Sequence, residues 1–285
     1  MNGIPLTRAT LAQFPLPAVV DGDKETKGRI LILAGSRQVP GAALVSATAA
    51  MRAGAGKLRI ATGASIAVQV GVAMPEAMVV GLDEHREGQL VPNAVKSIAE
   101  LAKDADVIVA GPGLANGKVG GRIAKALLAT DAPLALDAAL LHELEPPVEA
   151  RTFLPILLPH AGELSSLLDC SEEDIDRDPL GCGSRAAERY RAIVLVKGVT
   201  SHVVTPEGLA WTYTGGAPGL GVSGSGDVLA GIVGGLLARG AEPLTALLWA
   251  VLLHGEAGEC LSRKVGPIGF LARELADELP ALLNR

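Results

Sequence analysis

The residues with the clearest chemical meaning lie in a glycine-rich segment that ends in an acid. Residues 219–227 read GLGVSGSGD and lead directly into the apolar run VLAGIVGGLLA. Glycines allow several backbone N–H groups to point at one spot, and a helix N-terminus adds partial positive charge, so this segment is suited to bind phosphate. The acid, Asp227, is suited to take a proton from a hydroxyl group that attacks phosphorus. The alternative interpretation is that Asp227 only stabilises the first turn of a helix.

The same segment matches the dinucleotide-binding pattern GxGxxG, with glycines at 219, 221 and 224. It follows turns rather than a strand, and it lies late in the chain. The pattern alone is weak evidence, so we reject a Rossmann site for hydride transfer. No Walker A sequence is present.

Five further segments that carry unusual residues follow predicted strands. They are residues 35–43 (GSRQVPGAA), residues 111–114 (GPGL), Asp137, residues 159–163 (PHAGE) and residues 197–200 (KGVT). The carboxyl ends of parallel strands meet at one edge of a sheet, so these segments together predict a cleft lined by backbone. Taken singly, the glycines of the four segments other than Asp137 are equally consistent with tight turns.

Several histidines and a lysine are weaker candidates for the site. His160 either contacts a ligand or caps the helix that follows it, and Lys197 is a candidate phosphate contact at the end of a strand. His254, within LLWAVLLHGEAGE, is predicted to be packed in a helix. The other histidines, His85, His142 and His202, have no predicted partner.

The elements that must position these residues alternate along the chain. Short runs rich in Val, Ile and Leu predict buried parallel strands, and longer Ala- and Leu-rich runs between them predict helices, which together indicate an α/β fold with helices on both faces of the sheet. Thr200–Tyr213 predicts a β-hairpin around Pro206, Glu207 and Gly208, and residues 172–178 predict a polar loop or helix start. The predicted strands are 29–34, 57–61, 106–110, 133–137, 154–158 and 192–197. The predicted helices are 42–53, 93–103, 119–130, 162–169, 227–238, 244–261 and 270–283.

Composition excludes several classes of protein. Hydrophobic residues make up 49% of the 285 residues, and the net charge is −6, which argues against extensive disorder and against a nucleic-acid surface. The three cysteines have no metal-like spacing, and the N-terminus lacks a basic stretch followed by an apolar run. We therefore expect a cytoplasmic enzyme with no disulfide, no zinc site and no contact with a membrane.

The motifs, in this order, resemble the carbohydrate-kinase-like family of NAD(P)H-hydrate dehydratases, within the ribokinase-like superfamily. The resemblance extends from about Lys27 to Leu283. The segments that carry it include AGSRQVPGAA (34–43), MPEAM (74–78), AGPGLA (110–115), LPHAGE (158–163), VKGVTS (196–201), SGSGDVLAG (223–231) and LLHGEAGE (252–259).

The resemblance implies a single ribokinase-like domain over residues 1–285, without a fused epimerase domain, and a mostly parallel central sheet. It implies repair of NADHX and NADPHX, the hydrated forms of NADH and NADPH, with ADP as phosphoryl donor and Mg²⁺ as the ion that accompanies it. It also implies a separate epimerase that acts on the same metabolite. The apolar run 244–253 leads us to expect a homo-oligomer, for which the resemblance suggests a tetramer.

Site residues follow from the resemblance position by position. Asp227 is the implied catalytic base, and no metal ligand is implied among the side chains. The residues implied to meet NAD(P)HX are Gly41, Ala42, Gly113, His160 and Asp227. The residues implied to meet the nucleotide are Lys197, Gly198, Val199, Thr200, Ser201, Gly224, Ser225 and Gly226.

Three positions depart from the family pattern. The family segment Lys-Gly-x-x-Thr reads Lys197-Gly198-Val199-Thr200-Ser201 here, with the pair of hydroxyl residues shifted. The family commonly has Asp-Ala-Asp after the fourth strand, where this chain has Asp137-Ala138-Ala139, and Ser225 replaces a more usual Thr. Two other functions stay open: a small-molecule kinase of the same superfamily, such as a hydroxyethylthiazole or sugar kinase, and a nucleotide-binding regulator without turnover. The acid Asp227 argues against the regulator, because a carboxylate repels phosphates. The preferences between ADP and ATP, and between NADHX and NADPHX, also stay open.

Overall fold

Ten strands form one sheet in the computed structural model, which describes residues 3–18 and 28–285. The strand order is β1-β10-β9-β8-β7-β6-β5-β2-β3-β4, and the seven strands from β8 to β4 are parallel to their neighbours, whereas β9 is antiparallel to β8 and β10. The prediction of a mostly parallel sheet is confirmed. The strands are β1 Ile4–Pro5, β2 Arg29–Leu33, β3 Lys57–Gly63, β4 Ala77–Leu82, β5 Val107–Ala110, β6 Leu134–Leu136, β7 Ile156–Leu157, β8 Ile193–Val196, β9 Ser201–Val204 and β10 Ala210–Tyr213.

Helices cover both faces of this sheet, as predicted. Successive side chains of a strand point to opposite faces. Ile30 and Ile32 therefore pack with α2, α9, α10 and α11, while Leu31 and Leu33 pack with α4, α5, α6 and α8. The helices are α1 Arg8–Leu11, α2 Gly41–Ala53, α3 Ala67–Ala73, α4 Pro92–Lys103, α5 Gly120–Leu128, α6 Ala161–Leu168, α7 Glu172–Arg177, α8 Pro179–Tyr190, α9 Ser225–Ala238, α10 Pro243–Lys264 and α11 Ala272–Leu283.

Helices α9 and α2 pack against each other on one face of the sheet, and glycines make this close packing feasible. A Cβ at Gly231 would lie 2.2 Å from the carbonyl oxygen of Ser46, and one at Gly235 would lie 2.4 Å from that of Ala50. Because both contacts advance together along the two helices, α2 and α9 run parallel and begin at the same edge of the sheet. That edge is the one where the parallel strands end.

The predicted strands and helices are present, with shifted ends, and five further elements were not predicted. The hairpin is formed by β9 and β10, and the polar stretch 172–178 contains the short helix α7. Strand β4 was missed because it lies at the end of the sheet and is only half buried, so its pattern is not that of a buried strand. Helix α8 was missed because it begins with Pro179 and contains Gly181 and Gly183, residues that are typical of turns. Strand β1 and helices α1 and α3 are short.

Helix α10 is, by length and composition alone, apolar enough to cross a membrane. Of its most apolar 18-residue window, 67% is buried inside the fold. The core helix of a globular domain has the same properties, so α10 is weak evidence for a membrane segment.

Candidate active site

A cavity of about 730 Å³ opens at the carboxyl edge of the sheet, between the ends of β8 and β10 and the start of α9. Many of the predicted nucleotide contacts line it, and the loop after β10 supplies much of its remaining wall. The lining residues include His160, Lys197, Gly198, Val199, Ser201, Ser225 and Gly226, together with residues 213–218, Leu220, Leu229, Val251 and His254. The location agrees with the rule that open α/β sheets bind ligands beyond the carboxyl ends of their strands.

The first turn of α9 presents unpaired backbone donors. Gly224 precedes the helix with φ of 90°, a conformation that favours glycine, and no side chain caps the helix. Among residues 3–18 and 28–285, no group accepts a hydrogen bond from the N–H of Gly226 or of Asp227. A helix N-terminus with unpaired N–H groups is a binding site for an anion such as phosphate.

Lys197 reaches this turn from the end of β8. Its Nζ lies 2.7 Å from Asp137 Oδ1 and 3.8 Å from Glu163 Oε2. Asp137 and Glu163 are both buried, with side chains only 4% and 6% exposed. A Cβ at Gly226 would lie 3.8 Å from the same Nζ. A cation is therefore held between two carboxylates, next to the glycine of the helix start.

Asp227 is the third residue of α9 and belongs to the same turn. Burial and, to a smaller extent, the negative charge of Asp137 raise the pKa of its carboxyl group to about 6, against the opposite effect of Lys197. A carboxylate with a pKa near neutrality is well suited to act as a general base, because it is ionised at pH 7 and still has appreciable proton affinity.

His160 caps α6, so the capping interpretation of this residue is correct. Its Nδ1 accepts hydrogen bonds from the N–H groups of Gly162 and Glu163, at 3.0 and 3.3 Å. Glu163 Oε2 accepts in turn from the N–H of His160, at 2.9 Å. Because Nδ1 accepts, the ring proton lies on Nε2, and the half-exposed ring still lines the cavity.

The other predicted substrate contacts form a second group at the start of α2. Gly113 has φ of 62°, and a Cβ there would lie 2.3 Å from the Cβ of Ala42. Nothing lies within 4 Å of a Cβ at Gly41. A hydrogen bond connects α2 with Asp227: Ser46 Oγ, on α2, donates to the Asp227 carbonyl oxygen at 3.0 Å.

Sequence reasoning missed two parts of the site. Asp137 was predicted to lie at the cleft, but its ion pair with Lys197 was not predicted, and Ala139, which stands where the family has a second acid, is buried. His254 is packed in a helix as predicted, but it also lines the cavity and contacts Ser225. Its place in the motif LLHGEAGE was the available signal. Of the segment 197–201, Thr200 is the residue that does not line the cavity, and the side chain of Val199 is fully exposed.

The carboxylates of the site are suited to a hard cation. Within the described residues, no cluster of three or more His, Cys, Asp and Glu side chains could hold a metal ion. Mg²⁺ typically binds one or two carboxylates and takes its remaining ligands from phosphate oxygens and water. Asp137 and Glu163 therefore fit a Mg²⁺ ion that enters with a nucleotide.

Comparison with known proteins identifies relatives along nearly the whole chain. The family model described as NAD(P)H-hydrate dehydratase matches residues 30–281. The chain is 43% identical to the ADP-dependent (S)-NAD(P)H-hydrate dehydratase of Xanthomonas campestris, covering 98% of this chain and 96% of that one. It is 33% identical to the bifunctional NAD(P)H-hydrate repair enzyme of Moorella thermoacetica, over 92% of this chain and 50% of that one. The chain thus spans about half the length of such bifunctional relatives.

A solved structure extends the agreement to the fold. The ADP/ATP-dependent NAD(P)H-hydrate dehydratase of Bacillus subtilis, co-crystallised with ATP and Mg²⁺, superposes with a TM-score of 0.89 at 29% identity, covering 100% of this chain and 99% of that one. The predicted ribokinase-like fold is confirmed. The matched model and the relatives together show that the chain belongs to the NAD(P)H-hydrate dehydratase family.

Proposed function

We propose that this chain is an ADP-dependent dehydratase that converts (S)-NADHX and (S)-NADPHX to NADH and NADPH, with release of AMP and phosphate. The observation that carries the proposal is the first turn of α9, where unpaired N–H groups, Lys197 and the carboxyl group of Asp227 come together. Membership of the family and the name of the Xanthomonas relative support it.

In the first step, Asp227 accepts the proton of the hydroxyl group on C6 of the hydrated nicotinamide ring. The hydroxyl oxygen then bonds to the β-phosphorus of ADP as the bond to the bridging oxygen breaks, and AMP leaves. The raised pKa of Asp227 suits it to this task, because the carboxylate is ionised at pH 7 and accepts the proton readily.

Charge on the phosphoryl oxygens is stabilised by groups that are already in place. The N–H groups of Gly226 and Asp227 and the ammonium group of Lys197 are the donors that we assign to this role. Mg²⁺ bound to the nucleotide, with Asp137 or Glu163 among its ligands, would neutralise further phosphoryl charge. Lys197 would then shift part of its hydrogen bonding from Asp137 to the phosphate.

In the second step, phosphate leaves C6 while the lone pair of the ring nitrogen assists. A proton leaves the neighbouring C5, so that the double bond of the dihydronicotinamide ring is restored. The phosphate carries away the oxygen of the hydroxyl group, which makes it a far better leaving group than hydroxide. The net change is loss of water from the ring at the expense of ADP.

The binding residues are proposed as two groups on either side of Asp227. The AMP part is assigned to Lys197, Gly198, Val199, Thr200 and Ser201 and to the turn from Gly224 to Gly226. The nicotinamide part is assigned to Gly41, Ala42, Gly113 and His160. We further propose that the chain forms a single domain, works in the cytoplasm on these small molecules rather than on nucleic acid, and acts beside a separate epimerase.

The test supplies NADHX together with either ADP or ATP and records the return of NADH absorbance. We expect absorbance to return with ADP, together with equal amounts of AMP and phosphate. A stable phosphorylated product without NADH would instead identify the enzyme as a small-molecule kinase. Nucleotide binding without any product would identify a regulator.

We also propose a homo-oligomer, with the tetramer as the expected form. The apolar run 244–253 is a weaker reason than the sequence suggested, because most of it is buried within the subunit. Large apolar side chains are exposed instead on α3 and β4, where Val68, Val72 and Met78 are 74%, 80% and 59% exposed. Light scattering at micromolar concentration tests the proposal, and a 29.0 kDa particle would contradict it.

A further inference from the structure

His254 reaches from α10 to the first turn of α9. Its Nε2 lies 3.0 Å from the hydroxyl oxygen of Ser225 and 3.1 Å from the carbonyl oxygen of the same residue. Both oxygens are thus within hydrogen-bond distance of one ring nitrogen. The contact joins a helix that the mechanism does not use to the turn that presents donors to the cavity.

The carbonyl oxygen decides which way these hydrogen bonds run. Burial lowers the pKa of His254 to about 4, so the ring is neutral near pH 7 and carries a single proton. A carbonyl oxygen only accepts hydrogen bonds, and an unprotonated Nε2 would place its lone pair against it. The proton therefore lies on Nε2, which donates to the carbonyl oxygen and to the hydroxyl oxygen of Ser225.

This assignment leaves the hydroxyl proton of Ser225 without a protein acceptor. Within residues 3–18 and 28–285, the ring of His254 is the one hydrogen-bond partner of Ser225 Oγ. Ser225 is only 6% exposed, and it lines the cavity beside Gly226 and Lys197. A buried hydroxyl without an acceptor is costly, so its proton is suited to a ligand in the cavity.

We propose that His254 is a positioning residue that turns the hydroxyl proton of Ser225 toward a phosphate oxygen of the bound nucleotide. The inference rests on the proposed function in one respect, namely that the first turn of α9 binds phosphate. It adds that a neutral histidine on α10 orients a hydroxyl group in this turn. His254 acts on the nucleotide through Ser225, with which it makes both of its short contacts.

The experiment compares the affinities of ADP and adenosine, measured by calorimetry, in four variants: His254→Leu, His254→Gln, Ser225→Ala and the double variant His254→Leu/Ser225→Ala. We expect His254→Leu and Ser225→Ala each to weaken ADP binding roughly tenfold or more, the loss of one hydrogen bond to a charged group. Gln keeps an N–H donor near the position of Nε2 and should restore most of the affinity. The double variant should be no worse than either single variant, because both act through one hydroxyl.

Adenosine separates positioning from packing. It has no phosphate, so its affinity should be unchanged in all four variants, whereas a general distortion of the cavity would weaken both ligands. The inference would be overturned if His254→Leu left the affinity for ADP unchanged. It would also be overturned if the double variant lost affinity by the product of the two single losses. Should the Leu variant fail to fold, His254→Asn, whose shorter amide does not reach Ser225, takes its place. A wild-type protein without affinity for ADP would overturn the proposed function as well.

Discussion

Two helices begin at the same cavity, and they treat their first N–H groups in opposite ways. At the start of α6, Nδ1 of His160 accepts from two N–H groups, and Glu163 accepts in turn from the N–H of His160. At the start of α9, Gly224 supplies no side chain, and the N–H groups of Gly226 and Asp227 have no acceptor in the described part of the chain. The first N–H groups of a capped helix already have acceptors, whereas those of an uncapped helix at a cavity are available to bind an anion.

A helix start at a cleft therefore does not by itself mark a ligand site. Both segments carry a glycine and an acid, PHAGE at the start of α6 and SGSGD at the start of α9, and in each the acid is the third residue of the helix. They differ in the hydrogen bonds of the acid: Glu163 accepts from the N–H of its own helix cap, whereas in the described part of the chain the side chain of Asp227 makes no such bond. Substitutions at the two helix starts and at the acids near them test this difference.

Asp227→Asn should lower turnover by roughly 10²–10⁴-fold, the usual contribution of a positioned general base. The fold and ADP binding should persist, because the amide has nearly the same shape. Steady-state rates of NADH formation provide the measurement. Glu173→Gln, which removes an exposed acid from the first turn of α7, is the matched control and should leave the rate unchanged. A near-native rate for Asp227→Asn would contradict its role as the base.

Gly226→Ala should weaken ADP binding about tenfold or more without a loss of stability. Its backbone is helical, and the new Cβ meets only Lys197 Nζ at 3.8 Å, so the protein itself accommodates it. A ligand phosphate approaching the N–H groups would not be accommodated, which costs charged hydrogen bonds. Calorimetric titration and a melting curve of the same sample are the measurements.

Gly224→Ala is the contrasting variant, because φ of 90° at this position strains any residue with a Cβ. We expect it to lower the free energy of unfolding by about 1–2 kcal/mol. The sequence alone treated these two glycines alike. ADP affinity unchanged in Gly226→Ala would mean that the nucleotide phosphate lies elsewhere.

His160→Ala should destabilise the protein by about 0.5–2 kcal/mol, because α6 loses its cap. His160→Asn should restore the stability, since Asn is a good helix cap. Thermal melts and rates of both variants separate the two roles of His160. Stability restored together with rate would show that the residue only caps α6, and stability restored without rate would support its proposed contact with the substrate.

Asp137→Asn should shift the pH dependence of turnover. The base works when ionised, so the rate should fall as the pH falls through about 6, the pKa of Asp227. Removing the charge of Asp137 lowers that pKa, and Lys197, no longer paired with it, lowers it further. The acidic limb of the profile should therefore move to lower pH, while Asp176→Asn, an exposed acid on α7, should leave it in place. An unmoved limb would contradict the coupling of the two acids.

The sequence predicted local features well and side-chain pairing poorly. The strands, the glycine loops and the acid at the start of α9 could be predicted because each depends on the hydrophobic pattern or backbone chemistry of a few consecutive residues. The pair of Lys197 and Asp137 is 60 residues apart in the chain. It forms because β6, β7 and β8 are neighbours in the sheet. The order of strands is a property of the whole fold, so no local pattern predicted which acid would meet the lysine.

The contact of α9 with α2 also has a mechanical consequence. Where carbonyl oxygens and glycine Cα atoms touch, as at Gly231 and Gly235, no flexible side chain separates the two backbones to absorb a displacement. We therefore expect the two helices to move as one rigid unit, which carries Asp227 at the start of α9 and Gly41 at the start of α2. The distance between these two residues is then fixed by the contacts of two glycines that lie outside the cavity, one to two helical turns away.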